Sequence, residues 1–206
     1  VFFYEPMITP APFTAAPQAP LQHRRILLGV SGSIAAYKAA PLTRLLVKAG
    51  AEVQVILTEA AAVFVTPLTL GTLSKKPVLT GFLRDAASGQ WHNHVELGLW
   101  ADALVVAPAS ANTIGQLANG LCPNLLSAVY LSARCPVFLA PAMDLDMYAH
   151  PAVTQNLQRL RSFGNHIFDS PSGELASGLA GPGRMLEPEE IVAELAQFFA
   201  QRERTT

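Results

Sequence analysis

The chain is predicted to be an α/β protein, a parallel sheet flanked by helices on both faces, and three observations predict it. Ala103–Ala107 and Val137–Ala140 are unbroken apolar runs of strand length, the pattern of strands buried on both sides. Such runs alternate along the chain with stretches of helical spacing. Each run also stops at a turn rich in Ser, Thr, Asn or Pro, so unusual residues collect where the strands end.

The elements follow in order. Residues 1–23 are interrupted by Pro6, Pro10, Pro12, Pro17 and Pro20 and lack a basic start before their apolar residues. They are expected to be an extended or mobile arm and not a signal peptide, with one domain over 24–206. The apolar run from Ile26 stops at Ser31-Gly32-Ser33 and passes into a helical pattern through Lys38. A strand feeding a helix there offers free N–H groups, glycine backbone and hydroxyls to a phosphate. The bland alternative is a tight strand-to-helix connection, and the spacing fits neither the dinucleotide nor the P-loop pattern.

Glu52–Leu57 alternates and is rich in β-formers, so it is a second strand, and Thr58 then caps a helical patch over Glu59–Phe64. Pro67 starts another helix to about Ser74. Residues 75–93 show no period and are expected to be a long loop. Val95–Trp100 is a short helix ahead of the Ala103–Ala107 strand. Pro108–Thr113 then turns into a helix over Ile114–Asn119, with Asn112 a candidate cap. Leu125–Ser132 is helical, Val137–Ala140 is the next strand, and Pro151–Phe163 is a helix closed by Gly164. His166–Phe168 is a short strand, and a last helix over Glu187–Gln201 carries Ile191, Leu195 and Phe198 on one face.

Composition excludes several functions. Only 14% of the 206 residues are charged and half are hydrophobic, too little charge to cover a monomer, so self-association is expected. A net charge of −1 gives no electrostatic reason to bind nucleic acid or an anionic membrane. No apolar stretch reaches the roughly 20 residues of a membrane span. Cys122 and Cys135 form no C-x-x-C pair, which suits a reducing cytoplasm, and the histidines lack metal-ligand spacing. Loops after four strands converge on one rim; a phosphate at the first two and a planar ring near Pro108–Asn112 would suit FMN.

At that point five separated blocks, GVSGSIAAYKA, HVELGLWAD, APASANTIGQLANG, PAMDLDMYAHP and GELASGLAGPGRM, stand in the order found in a known family. From about Arg25 to the last helix the chain resembles the flavin-dependent cysteine decarboxylases, above all the phosphopantothenoylcysteine decarboxylase half of bacterial bifunctional coenzyme A biosynthesis proteins. The resemblance implies a Rossmann-like flavodomain that forms trimers, often dodecamers, with FMN between neighbouring subunits and a ligase domain fused or separate. It implies that Gly32, Ser33 and Thr58 hold the FMN phosphate and that Ser110 and Asn112 contact the flavin. His94 matches the family's active-site histidine, a side chain suited to proton transfer near neutrality. Ala142, Met143 and Asp144 fall in the substrate motif, and Gly173–Met185, with Ser177 and Gly178, in a lid over the substrate.

The implied reaction is decarboxylation of phosphopantothenoylcysteine to phosphopantetheine through a thioaldehyde and an enethiol. The flavin is needed because the carbanion left by CO₂ has no acceptor until the thiol carbon is oxidised. Two departures matter. Asp144 stands where the motif has Asn, so an ionised carboxylate would face a substrate carboxylate. Ser177 stands where many members have a proton-delivering Cys. Gln116, Pro123 and Tyr148 also differ from the usual Lys, Asp and Trp. Two other readings fit these changes: a peptidyl-cysteine decarboxylase that makes aminoenethiols, and a non-catalytic flavin-binding regulatory subunit.

Overall fold

A computed structural model describes residues 19–85 and 88–204. Most of the expected N-terminal arm, residues 1–18, lies outside them. The described part of that segment is packed: Leu21 is fully buried and its N–H donates to the Ala49 carbonyl at 2.9 Å.

Strand β1 (Arg25–Val30) is followed by a 3-10 helix, Ile34–Lys38, before α1 (Ala39–Lys48) begins. The residue pattern alone suggests one continuous helix there. β2 (Glu52–Leu57), α2 (Glu59–Ala62) and α3 (Pro67–Ser74) stand where expected, with Thr58 and Thr66 accepting from the N–H groups of Ala61 and Thr69. The expected loop over 75–93 instead holds a hairpin, β3 (Leu83–Asp85) and β4 (Gln90–Trp91). Strands of three and two residues are too short for alternation to register in a sequence.

Then follow α4 (His94–Trp100), β5 (Ala103–Ala109), α5 (Ala111–Ala118), α6 (Leu125–Ser132) and β6 (Val137–Pro141). α5 starts three residues earlier than the pattern suggests, and its cap is Ser110, not Asn112. The chain closes with α7 (Leu145–Ala149), α8 (Pro151–Ser162), β7 (His166–Ile167), a second hairpin of β8 (Ser172–Glu174) and β9 (Ala180–Pro182), and α9 (Pro188–Glu203). On α9 the buried row is Ile191, Leu195 and Phe199; Phe198 turns to Phe138, with ring centroids 5.0 Å apart.

The main sheet is parallel in the order β2-β1-β5-β6-β7. Alternate residues of each strand enter opposite cores. Ile26, Leu28 and Val30 pack with α1, α3 and α9, while Leu27, Leu104 and Val106 pack with α5, α6 and α8. Both layers are needed because every residue of β5 is buried. Gly29 serves this packing and not a ligand: a Cβ there would strike Leu126 of α6. At the opposite end of the sheet Asp102 accepts from the Arg25 N–H at 2.8 Å and guanidinium at 3.1 Å. Partial burial pushes the Asp102 carboxyl up, but the Arg25 bonds outweigh it and hold it below the ordinary range. Among the described residues no helix is long and apolar enough to cross a membrane.

Candidate functional site

Connections leave β1 toward β2 on one side and, after β2, return to β5 on the other, so the chain direction switches between β1 and β5. Ligands of open α/β sheets gather at that switch, beyond the carboxyl ends of the strands. Here it is joined by Ser31, 1% exposed, whose Oγ donates to the Pro108 carbonyl at 2.8 Å. The Ser110 N–H donates back to Ser31 Oγ at 2.9 Å.

Gly32 and Ser33 follow at once. A Cβ on Gly32 would lie 2.6 Å from the Ala60 Cβ and 3.0 Å from its backbone carbon, so the turn after β1 rests directly on α2. Ser33 caps the 3-10 helix by accepting from the Ala35 N–H at 3.2 Å. Thr58 accepts from the Ala61 N–H at 3.2 Å, and its own N–H donates to the Val30 carbonyl at 3.0 Å. Two hydroxyl-capped turns thus stand side by side at the ends of paired strands, both half-buried. Ser110 caps α5 through the Thr113 N–H, and exposed Asn112 beside it accepts from Gln116 Nε2 at 3.2 Å.

Beside these turns opens a cleft of about 590 Å³. Of the residues expected from the sequence, Ser33, Ala142, Met143 and Asp144 line it, with Tyr37, Lys38 and Arg184 added. Asp144 caps α7, its Oδ1 accepting from the Leu145 N–H at 2.6 Å. The β8–β9 hairpin overhangs the cleft through Glu174 and Leu175. Its tip carries Ser177 and Gly178, exposed and outside the cleft lining; Gly178 takes φ +84°, which a side chain there would resist. Lys38 and Arg184 both bond to Glu187, and the Lys38 bond, above all, holds the Glu187 carboxyl below its ordinary range despite partial burial.

His94 is elsewhere. It opens α4, is not among the residues lining the cleft, and sits against Phe82 and Trp91 from the β3–β4 hairpin region, with ring centroids at 6.4 and 5.8 Å. Its Nδ1 is buried with no hydrogen-bond partner among the described residues. Within one chain, therefore, the cleft is not lined by His94. Lys38, Arg184 and the aromatic wall around His94 are not visible as site features in the sequence. The first two lie inside the motif blocks, but nothing in the order of residues shows that they share one carboxylate.

The hydroxyl-capped turns at the switch point are of a chemistry that suits the phosphate of a mononucleotide, although Gly32, Thr58, Ser110 and Asn112 are not among the residues lining the cleft. Comparison with known proteins agrees. A family profile described as "Flavoprotein" matches residues 14–200. A cysteine/cysteine sulfinic acid decarboxylase from an unknown prokaryotic organism is 60% identical over 141 residues, 68% of this chain and 39% of that protein. The coenzyme A biosynthesis bifunctional protein CoaBC of Vibrio cholerae is 47% identical over 182 residues, 88% of this chain and 45% of that protein. The chain thus spans less than half the length of these curated relatives. Among solved structures, a mutant PPC decarboxylase complexed with pantothenoylaminoethenethiol superposes with a TM-score of 0.78 at 35% identity, covering 87% of this chain and all of that one.

Proposed function

The chain belongs to the flavoprotein family, and on that premise we propose that it decarboxylates phosphopantothenoylcysteine to phosphopantetheine with FMN as cofactor. The observation that carries this reading is the cleft between the Ser33 turn and the Met143–Asp144 turn, overhung by a hairpin. Bound FMN supplies reversible acceptance of a hydride from the thiol-bearing carbon, which creates the electron sink that loss of CO₂ requires.

The residues do the rest. Gly32, Ser33 and Thr58 anchor the phosphate, and Ser110 with Asn112 orients the ring. Ala142, Met143 and Asp144 hold the carboxyl end of the substrate. The hairpin with Ser177 and Gly178 closes over it and excludes water. His94 takes the thiol proton through the ring nitrogen that faces away from the buried Nδ1. Because His94 stands apart from the cleft, we assign it to the cleft of a neighbouring copy, in a trimer or an assembly of trimers. Val63, 84% exposed, and Leu68, 80% exposed, give the apolar surface that such contacts would cover. A ligase domain, fused or separate, would supply the substrate in a reducing cytoplasm.

A second reading has its own support. Asp144 is a poor partner for a substrate carboxylate but a good one for an ammonium group. Free cysteine carries such a group, and the relative with 60% identity is a cysteine decarboxylase by name. One experiment tests both. The purified protein is loaded with FMN and given phosphopantothenoylcysteine or cysteine, and products are weighed by mass spectrometry. Loss of CO₂ from the first supports the main reading and from cysteine alone the second. Protein that refuses FMN, or turns over neither, overturns both.

A further inference from the structure

We propose that Lys38 is a positioning residue that couples the turn after β1 to the hairpin over the cleft. The 3-10 helix begins at the cleft with Ser33 and ends with Lys38, whose side chain runs inward and is 8% exposed. Its Nζ donates to the Met185 carbonyl at 3.2 Å and to Glu187 Oε1 at 2.7 Å. The same Glu187 oxygen accepts from Arg184 Nη2 at 3.1 Å. On the opposite wall the Met143 N–H donates to the Gly183 carbonyl at 3.0 Å. Residues 183–187 are therefore strapped between the two walls of the cleft, and β9 rises directly from that strap.

The path continues into the hairpin. A Cβ on Gly173 would lie 2.7 Å from Arg184 Nη1, so β8 lies against the guanidinium that Glu187 holds. Lys38, Glu187, Arg184 and Gly173 form one chain of contacts from the 3-10 helix to the overhanging strand. A buried ammonium is costly to desolvate where an apolar side chain of similar length could pack. Its compensation is that both of its partners belong to the segment carrying the hairpin. An anchor of the core alone would need neither partner there.

The proposal rests on the cleft being the substrate site, so its test includes a readout that needs no substrate. Lys38→Met, Lys38→Arg and Glu187→Gln are compared with wild type by hydrogen exchange of the 172–183 peptides in the cofactor-free protein. FMN affinity, KM and kcat are then measured on the loaded enzyme. Lys38→Met should speed exchange in the hairpin at least tenfold and raise KM about tenfold, with kcat and FMN affinity within threefold. Lys38→Arg should restore protection, and Glu187→Gln should reproduce the loss without adding to it in the double variant. A Lys38→Met protein that melts earlier but keeps hairpin protection and KM overturns the proposal. Loss of FMN binding with an unchanged hairpin overturns it too. Should Lys38→Met fail to fold, Glu187→Gln decides by the same two outcomes, because that side chain is 41% exposed and its amide oxygen can still accept from Lys38. Loosened hairpins in a protein that turns over neither substrate would leave the coupling standing and remove only the assigned reaction.

Discussion

Ser31 is hydrogen-bonded to Ser110 across the switch point: the Ser110 N–H donates to a hydroxyl that is itself buried and donates onward to Pro108. With the Ser31 N–H, which also donates to the Pro108 carbonyl at 3.2 Å, this side chain sets the separation of the turns assigned to the phosphate and the ring. Ser31→Ala leaves the part-buried Ser110 N–H without its acceptor, which costs about 1–3 kcal/mol, while the Pro108 carbonyl keeps the Ser31 N–H. A lower urea midpoint and weaker FMN binding are expected together. An unchanged FMN affinity in the destabilised variant would show that this separation does not matter to the cofactor.

His94→Asn should keep the flavin absorbance of the loaded protein and lower kcat by about 10²–10⁴-fold, the usual contribution of a positioned acid or base. Stopped-flow of flavin reduction by substrate checks it. Wild-type reduction rates in the variant would remove His94 from the chemistry.

Gly32→Val should abolish FMN binding, since its branched side chain must occupy space held by Ala60 at 2.6 Å. Mixed with His94→Asn and reassembled, the two inactive proteins should regain activity, because some cleft–histidine pairs would then be intact. Mixtures as inactive as their components would place each histidine with its own chain's cleft.

Asp144→Asn should leave stability within about 0.5 kcal/mol, because Asn caps a helix as well as Asp. It should lower KM for phosphopantothenoylcysteine several-fold by removing a like charge, and raise KM for cysteine, whose ammonium loses its counter-charge. Steady-state kinetics on both substrates decide; parallel shifts would mean that Asp144 meets neither group.

Asp102 gives a pH prediction. Its carboxyl is held below the ordinary range in the fold, so its stabilisation is present above the unfolded value of about 3.9 and fades as pH falls through the folded one. Asp102→Asn should therefore be less stable than wild type by about 1 kcal/mol at pH 7, discounted for the part-exposed Arg25. The gap should begin to narrow as pH falls below about 4. Thermal melts across that range measure it, and a constant gap would trace the loss to packing.

The legible parts were those with local causes. The limits of β2 and α3 follow from alternation and a starting proline, both written within ten residues. The β3–β4 hairpin was not legible, being too short for any period. Asn112 and Ser110 are both good caps by residue type; the observed bond from the Thr113 N–H decides for Ser110. Phe198 and Phe199 both continue a 3.6-residue stripe, and the rings of Phe138 and His166 decide which of them leaves the core row.

By itself, then, the order of residues determined an alternating α/β chain, its strand ends and the motif blocks that carry the family resemblance. The tertiary structure alone decided that Ser31 ties the turn after β1 to the end of β5, that Lys38 reaches Met185 and Glu187, and that His94 does not line the cleft. The reason is range. Periodicity and capping act within a few residues, whereas a side chain 147 or more residues from its partner meets it only once the sheet has set the geometry.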